Sequence, residues 1–195
     1  MGMTLASSPE LLVLIQRNDP TAARQLFEAY YGKLAAIAQR YSKNHSQAEE
    51  MLNVGFANCL AVIRHNRGNT ISDPEQFIEK VFISECIHFI KNIRSEYYVA
   101  STVYASEAAP KNYDLFADNE LIDFKHVDND ILLKSLQQLV PSQRLIFNLH
   151  IIEGYSLEEA AAMIESSVQT VKSNLEKARY NLQKNIENCL KSVKI

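Results

Sequence analysis

Near the C-terminal end of the sequence, Gln169, Thr170, Lys172, Ser173, Lys177 and Arg179 fall within eleven residues. Amide and hydroxyl groups at the start of a helix reach base edges in a major groove, while Lys and Arg side chains reach the phosphates on its rim. The chemistry such a set supports is non-covalent recognition of a nucleic acid. On composition alone, a helical hairpin with a solvated polar face fits equally well. Covalent chemistry finds less support. The carboxylate pairs Glu49-Glu50 and Glu158-Glu159 are adjacent in sequence, and neighbours on a helix point about 100° apart rather than converging. His45, His65, His88, His126 and His150 show neither HxxxH nor HExxH spacing. Cys59, Cys86 and Cys189 are far apart, form no CxxC, and read as free thiols packed in a core. No catalytic residue, cofactor or metal ligand is expected, and the chain is not expected to be an enzyme.

The recognition set needs a helix to carry it. Ser156 with Glu159 forms a capping-box pattern, which predicts a helix from Leu157 to about Ile164 with Leu157, Ala161 and Ile164 inward. A turn over Glu165 to Ser167 follows, with Ser166 or Ser167 capping the next helix. In that helix Val168, Val171, Leu175, Ala178, Leu182 and Ile186 make an apolar stripe expected to pack on the preceding one. Two amphipathic helices joined by three residues are a helix-turn-helix arrangement.

Upstream, every recognisable element is also helical. Asp19-Pro20 and Asp73-Pro74 each offer a cap followed by proline at the first helical position, and Ser46 with Glu49 offers another capping box. The stripes that follow are Leu26, Phe27, Tyr30, Leu34 and Ile37; then Met51, Leu52, Phe56, Cys59 and Ile63; then Phe77, Val81, Phe82, Cys86, Phe89 and Ile90. Only five Gly and five Pro in 195 residues agree with a turn-poor, all-α chain. Between Ser95 and Asp130 the periodicity fails, and eight acids stand against two bases. From Val168 to the end, six Lys or Arg stand against two Glu, an asymmetry that the overall charge of −3 conceals. The expected organisation is a helical domain over 1–95, an extended acidic linker over 96–128, and a second small helical domain over 129–195. The apolar run Leu11 to Ile15 is too short for a signal-peptide core or a membrane span, so a cytoplasmic protein without membrane insertion is expected.

Leu139 to Leu182 resembles the fourth conserved region of bacterial RNA polymerase sigma factors of the extracytoplasmic-function group. The matching positions include Leu139, Pro141, Arg144, Phe147, Leu149, Gly154, Ser156, Glu159, Ala161, the run Thr170-Val171-Lys172-Ser173, Leu175, Ala178, Arg179 and Leu182. The resemblance implies that this helix-turn-helix reads the minus-35 promoter element, a role that carries over to Thr170, Lys172, Ser173 and Lys177; the polar face adds Gln169 and Arg179 as DNA-binding positions. Glu165 stands where the family usually has a turn glycine, so either a left-handed glutamate or a different turn is expected. Ala48, Glu49, Glu50, Asn53 and Phe56 sit at the places of an Ala-Glu-Asp-x-x-Gln-x-x-Phe pattern in the family's second conserved region, with two conservative substitutions, and the resemblance implies docking of Glu50, Asn53 and Phe56 on the polymerase clamp coiled coil; by its phase, Phe56 also fits the core.

The promoter-melting helix departs most from the family: there is no Trp, and the usual Asn and Asp positions fall near Ile87 and Lys91. Arg64, Arg67, His88, Lys91, Asn92 and Arg94 are the candidate contacts to separated minus-10 strands, the alternative being a solvated basic helix end. The implied partners are core RNA polymerase, through its clamp coiled coil and flap, promoter DNA, and an anti-sigma factor of the kind the family often has. A helix-turn-helix regulator acting as a homodimer without polymerase is the rival; it leaves the first three helices and the acidic linker without a task.

Overall fold

A computed structural model describes residues 8–66, 71–93 and 127–193 of the chain. Among the described residues every regular element is helical. The helices are α1 (Ser8–Gln16), α2 (Pro20–Tyr41), α3 (His45–His65), α4 (Pro74–Asn92), α5 (Asn129–Gln137), α6 (Pro141–Phe147), α7 (Leu157–Ile164) and α8 (Val168–Val193); a π-helical turn, Asn148–Ile152, extends α6. Backbone packing divides the chain into two compact units, one of Met1–Ala38 with His45–Phe89 and the other of Gln39–Asn44 with Ile90–Ile195. Residues 96–126 of the expected linker lie outside the described residues.

In the first unit, α1 is the element that periodicity misses. Its Leu11, Leu12 and Ile15 are buried, and it packs on α3. The helix ends at Asn18, whose φ of 64° reverses the chain, and Asp19 then caps α2 by accepting the amides of Thr21 at 2.8 Å and Ala22 at 3.1 Å. Asp73 caps α4 in the same way, accepting the amide of Gln76 at 2.9 Å. The helix α3 begins two residues earlier than the Ser46 capping box implies: Ser46 lies inside the first turn, and the Glu49 carboxylate faces the His45 ring at 3.3 Å. The buried face of α4 is also rotated from expectation. Ile78, Ile83 and Ile87 are fully buried with Phe82, Cys86 and Ile90, whereas Phe77, Val81 and Phe89 are half-buried.

Gly55 permits this packing, since a Cβ there would come within 2.7 Å of the Phe82 ring. Lys33 of α2 bridges Glu75 and Glu79 of α4, and the hydrogen bonds to those carboxylates push its pKa up. Burial, with the charge of Glu85 second, pushes the Cys59 thiol up to about 12.

The C-terminal unit is built around α8, which packs against α5, α6 and α7. Its core is polar in places. Arg144 is buried, and its Nη1 donates to the carbonyl oxygens of Gln137 at 2.8 Å and Leu139 at 2.7 Å, two of the carbonyls left over where α5 ends. Asn181 of α8 donates to the Gln143 side chain at 2.9 Å, and Asn185 to the Ser135 carbonyl at 3.1 Å.

After α6 an extra residue enters the helix, marked by the Glu153 amide bonding the Asn148 carbonyl at 2.9 Å. His150 Nδ1 donates to the Tyr155 carbonyl at 2.7 Å and fixes the exit, where Gly154 takes a φ of 79°. Ser156 and Glu159 then close the expected capping box on α7.

Three outcomes follow from this packing. Arg144→Ala should destabilise the chain to urea by about 3 kcal/mol, because it strands buried carbonyls, and Arg144→Lys should recover less than half of that loss, since an ammonium lacks the planar fork. Glu165, held left-handed at φ 56°, ψ 49° at the end of α7, should give about 1 kcal/mol of added stability when changed to Gly. Mass-mapped alkylation of the native chain near pH 8 should label half-buried Cys189 before buried Cys59 and Cys86.

Candidate nucleic-acid interface

The turn ahead of α8 sets the direction of its polar face. At the end of α7 the Ser166 amide bonds the Ala161 carbonyl at 2.9 Å and the Glu165 amide bonds the Ala162 carbonyl at 3.3 Å, the pairing of a Schellman stop with Glu165 as its left-handed residue. The expected alternative of a left-handed glutamate is therefore the one adopted. Ser167 caps α8: its Oγ accepts the Thr170 amide at 3.0 Å and lies 2.8 Å from the Thr170 hydroxyl. One turn on, the Asn174 side chain donates to the Thr170 carbonyl at 3.0 Å. The first turn of the helix is thus held by side-chain as well as backbone bonds.

Val171, Leu175, Ala178 and Ile186 are buried along one side of α8, and Leu182 is partly buried. Gln169, Thr170 and Lys172 are exposed, with Ser173, Lys177 and Arg179 half-exposed. The helix therefore presents all six side chains of the recognition set at its surface. One expectation is corrected. Val168, the first residue after the cap, is 39 % exposed and does not join the buried stripe. Sequence spacing missed it, since its period matches residues that are buried; the signal that could have separated it is its place immediately after the Ser167 cap.

The remaining candidates in the described residues lie on α3 and α4. Glu50 and Asn53 are exposed on α3 beside Val54, an exposed valine. Phe56 is core, 8 % exposed and edge-on to Phe27 with ring centroids 4.9 Å apart. Arg64 sits half-buried in the last turn of α3. His88, Lys91 and Asn92 share one face of the last turns of α4, and Asn92 and His88 are exposed. Ile87, at a position where a polar strand contact was sought, is buried. Arg67 and Arg94 lie outside the described residues. In the C-terminal unit an apolar groove of 470 Å³ is lined by Leu132, Leu133, Leu136, Phe147, Leu182 and Ile186.

Among the described residues no group of three His, Cys, Asp or Glu side chains could hold a metal ion. No described helix is long and apolar enough to cross a membrane.

Comparison with known proteins places these elements. Residues 129–182 match the family described as Sigma-70, region 4. The sigma factor RpoE, solved in complex with the anti-sigma factor NepR from Bartonella quintana, has a TM-score of 0.50 at 21 % identity, over 84 % of this chain and 96 % of that one. CnrH, solved in complex with the cytosolic domain of CnrY, has a TM-score of 0.49 at 16 % identity, over 94 % of this chain and 99 % of that one. No curated protein sequence matches the chain significantly. Residues 129–182 are thus similar to sigma-70 region 4, and the fold of the chain as a whole is like that of the sigma factor RpoE.

Proposed function

We propose that this chain binds core RNA polymerase and directs promoter-specific initiation, with the C-terminal helix-turn-helix holding the minus-35 duplex and the N-terminal helices docking on polymerase and opening the minus-10 region. What supports this function most is the surface of α8: Gln169 and Thr170 stand exposed in a fixed first turn, with Lys172 and Lys177 behind them, on a region 4 domain. Hydroxyl and amide groups there address base edges, and the ammonium groups address phosphates. Glu50 and Asn53 of α3 supply an exposed polar surface for the clamp coiled coil. The groove lined by Leu132, Phe147 and Leu182 has the chemistry to seat an apolar helix, the role we assign to the polymerase flap. His88, Lys91 and Asn92, with Arg64 and, by sequence, Arg67 and Arg94, are the groups we assign to the separated minus-10 strands. The protein is proposed to act in the cytoplasm, under control of an anti-sigma factor. The domain division 1–95, 96–128 and 129–195 belongs to the same proposal.

Run-off transcription by purified core polymerase on genomic fragments is the test. The wild-type chain should add new start sites. Lys172→Ala and Lys177→Ala should each weaken duplex binding for all sequences and reduce the salt slope by about one, and Gln169→Ala should relax preference at one base pair by about 1–3 kcal/mol. Glu50→Lys combined with Asn53→Ala should abolish co-purification with polymerase while leaving helical content unchanged. Normal pull-down by that double variant would remove α3 from the docking surface, and undiminished promoter activity in all three α8 variants would remove α8 from the DNA.

A further inference from the structure

We propose that Val168 is a base-reading residue whose methyl groups contact the 5-methyl group of one thymine in the upstream promoter element. This rests on the function proposed above and adds a specificity determinant to it. Val168 is partly exposed where the residues in phase with it are buried. Val171, Leu175 and Ala178 are 0 %, 5 % and 0 % exposed, whereas Val168, one turn before Val171, is 39 % exposed. Helix α7 stops at Ile164, and the left-handed Glu165 turns the chain toward α8.

Helix formation does not call for valine at that position. A β-branched side chain has a weak helix preference, and the helix dipole would favour an acidic residue in the first turn. Here the first turn of α8 has no acidic residue.

The surroundings match one ligand chemistry. Among the base edges of the major groove, the thymine methyl is the apolar group, and the N-terminal residues of a recognition helix are the ones that reach those edges. Exposed Lys172 stands one turn on from Val168, on the same side of α8, so an apolar contact would sit beside a phosphate-seeking ammonium. Its position is fixed. Ser167, the residue before it, bonds both the amide and the hydroxyl of Thr170, and a β-branched side chain has little χ1 freedom to lose on contact. The stiff, branched methyl pair is thus held toward the base edges at low conformational cost.

The probe is a duplex selected from a randomised pool by the reconstituted holoenzyme, with each upstream thymine on either strand replaced in turn by deoxyuridine, which lacks the methyl group. For the wild-type chain one replacement should weaken binding about fourfold, the worth of one buried methyl group. Val168→Ala should bind the thymine and deoxyuridine duplexes equally at that position, and Val168→Ile should retain the discrimination; circular dichroism should show all three chains equally helical. Equal binding of every deoxyuridine duplex by the wild-type holoenzyme would overturn the inference, as would unchanged discrimination by Val168→Ala. Failure of the holoenzyme to select any duplex would refute the proposed function itself, whereas normal selection without a Val168-dependent methyl effect would refute this inference alone.

Discussion

A buried guanidinium organises the C-terminal unit. Arg144 donates to the carbonyls of Gln137 and Leu139, so the end of α5 and the start of α6 are joined through one side chain that the core encloses. An arginine suits this place because its rigid fork can serve two carbonyls at fixed angles, and its charge cannot be removed by burial as a lysine's can. Ser135, Ser142, Gln143 and Asn148 are buried beside it in sequence and fold, so the unit depends on directional bonds as well as apolar area. Bonds of that kind discriminate between registers, because a shifted helix leaves them unmade. The ties from Asn181 to Gln143 and from Asn185 to Ser135 set α8 in one register against α6 and α5.

That register decides which side of α8 faces outward. With Val171, Leu175 and Ala178 buried, Gln169, Lys172 and Ser173 must lie at the surface, and the Ser167 cap fixes the turn from which they project. The turn carries strain: a glutamate in the left-handed region costs about 1–2 kcal/mol that glycine would avoid. Strain at the position joining α7 to α8 is tolerated because the Schellman bonds to Ala161 and Ala162 and the packing of α7 on α8 over-determine the geometry.

Much of this was legible from caps. Asp19, Asp73 and Ser156 mark helix starts by a local mechanism, a side-chain oxygen within reach of free amides, and each does so in the structure. Features set by tertiary contact were harder to read. The short run Leu11 to Ile15 forms a buried helix because it packs on α3, which no local pattern states. In α4 nearly every other residue is apolar, so periodicity alone could not choose between Phe77 and Ile78 as the inward side, and packing selected Ile78. The π-turn at Asn148 has no residue-type signal. At the interface, side-chain types identified the polar face of α8, whereas the exposure of Val168 and the burial of Phe56 depend on how neighbouring helices pack.

On the function proposed here, two units of one chain act on promoter DNA through polymerase. Footprinting the reconstituted holoenzyme on a fragment from which it initiates, with permanganate to detect unpaired thymines, tests it most directly. An upstream duplex segment should be protected and thymines near the start site should be reactive, both only with core polymerase present. Twofold-symmetric protection by the chain alone, with no unpaired thymines when polymerase is added, would contradict it and identify a dimeric regulator instead.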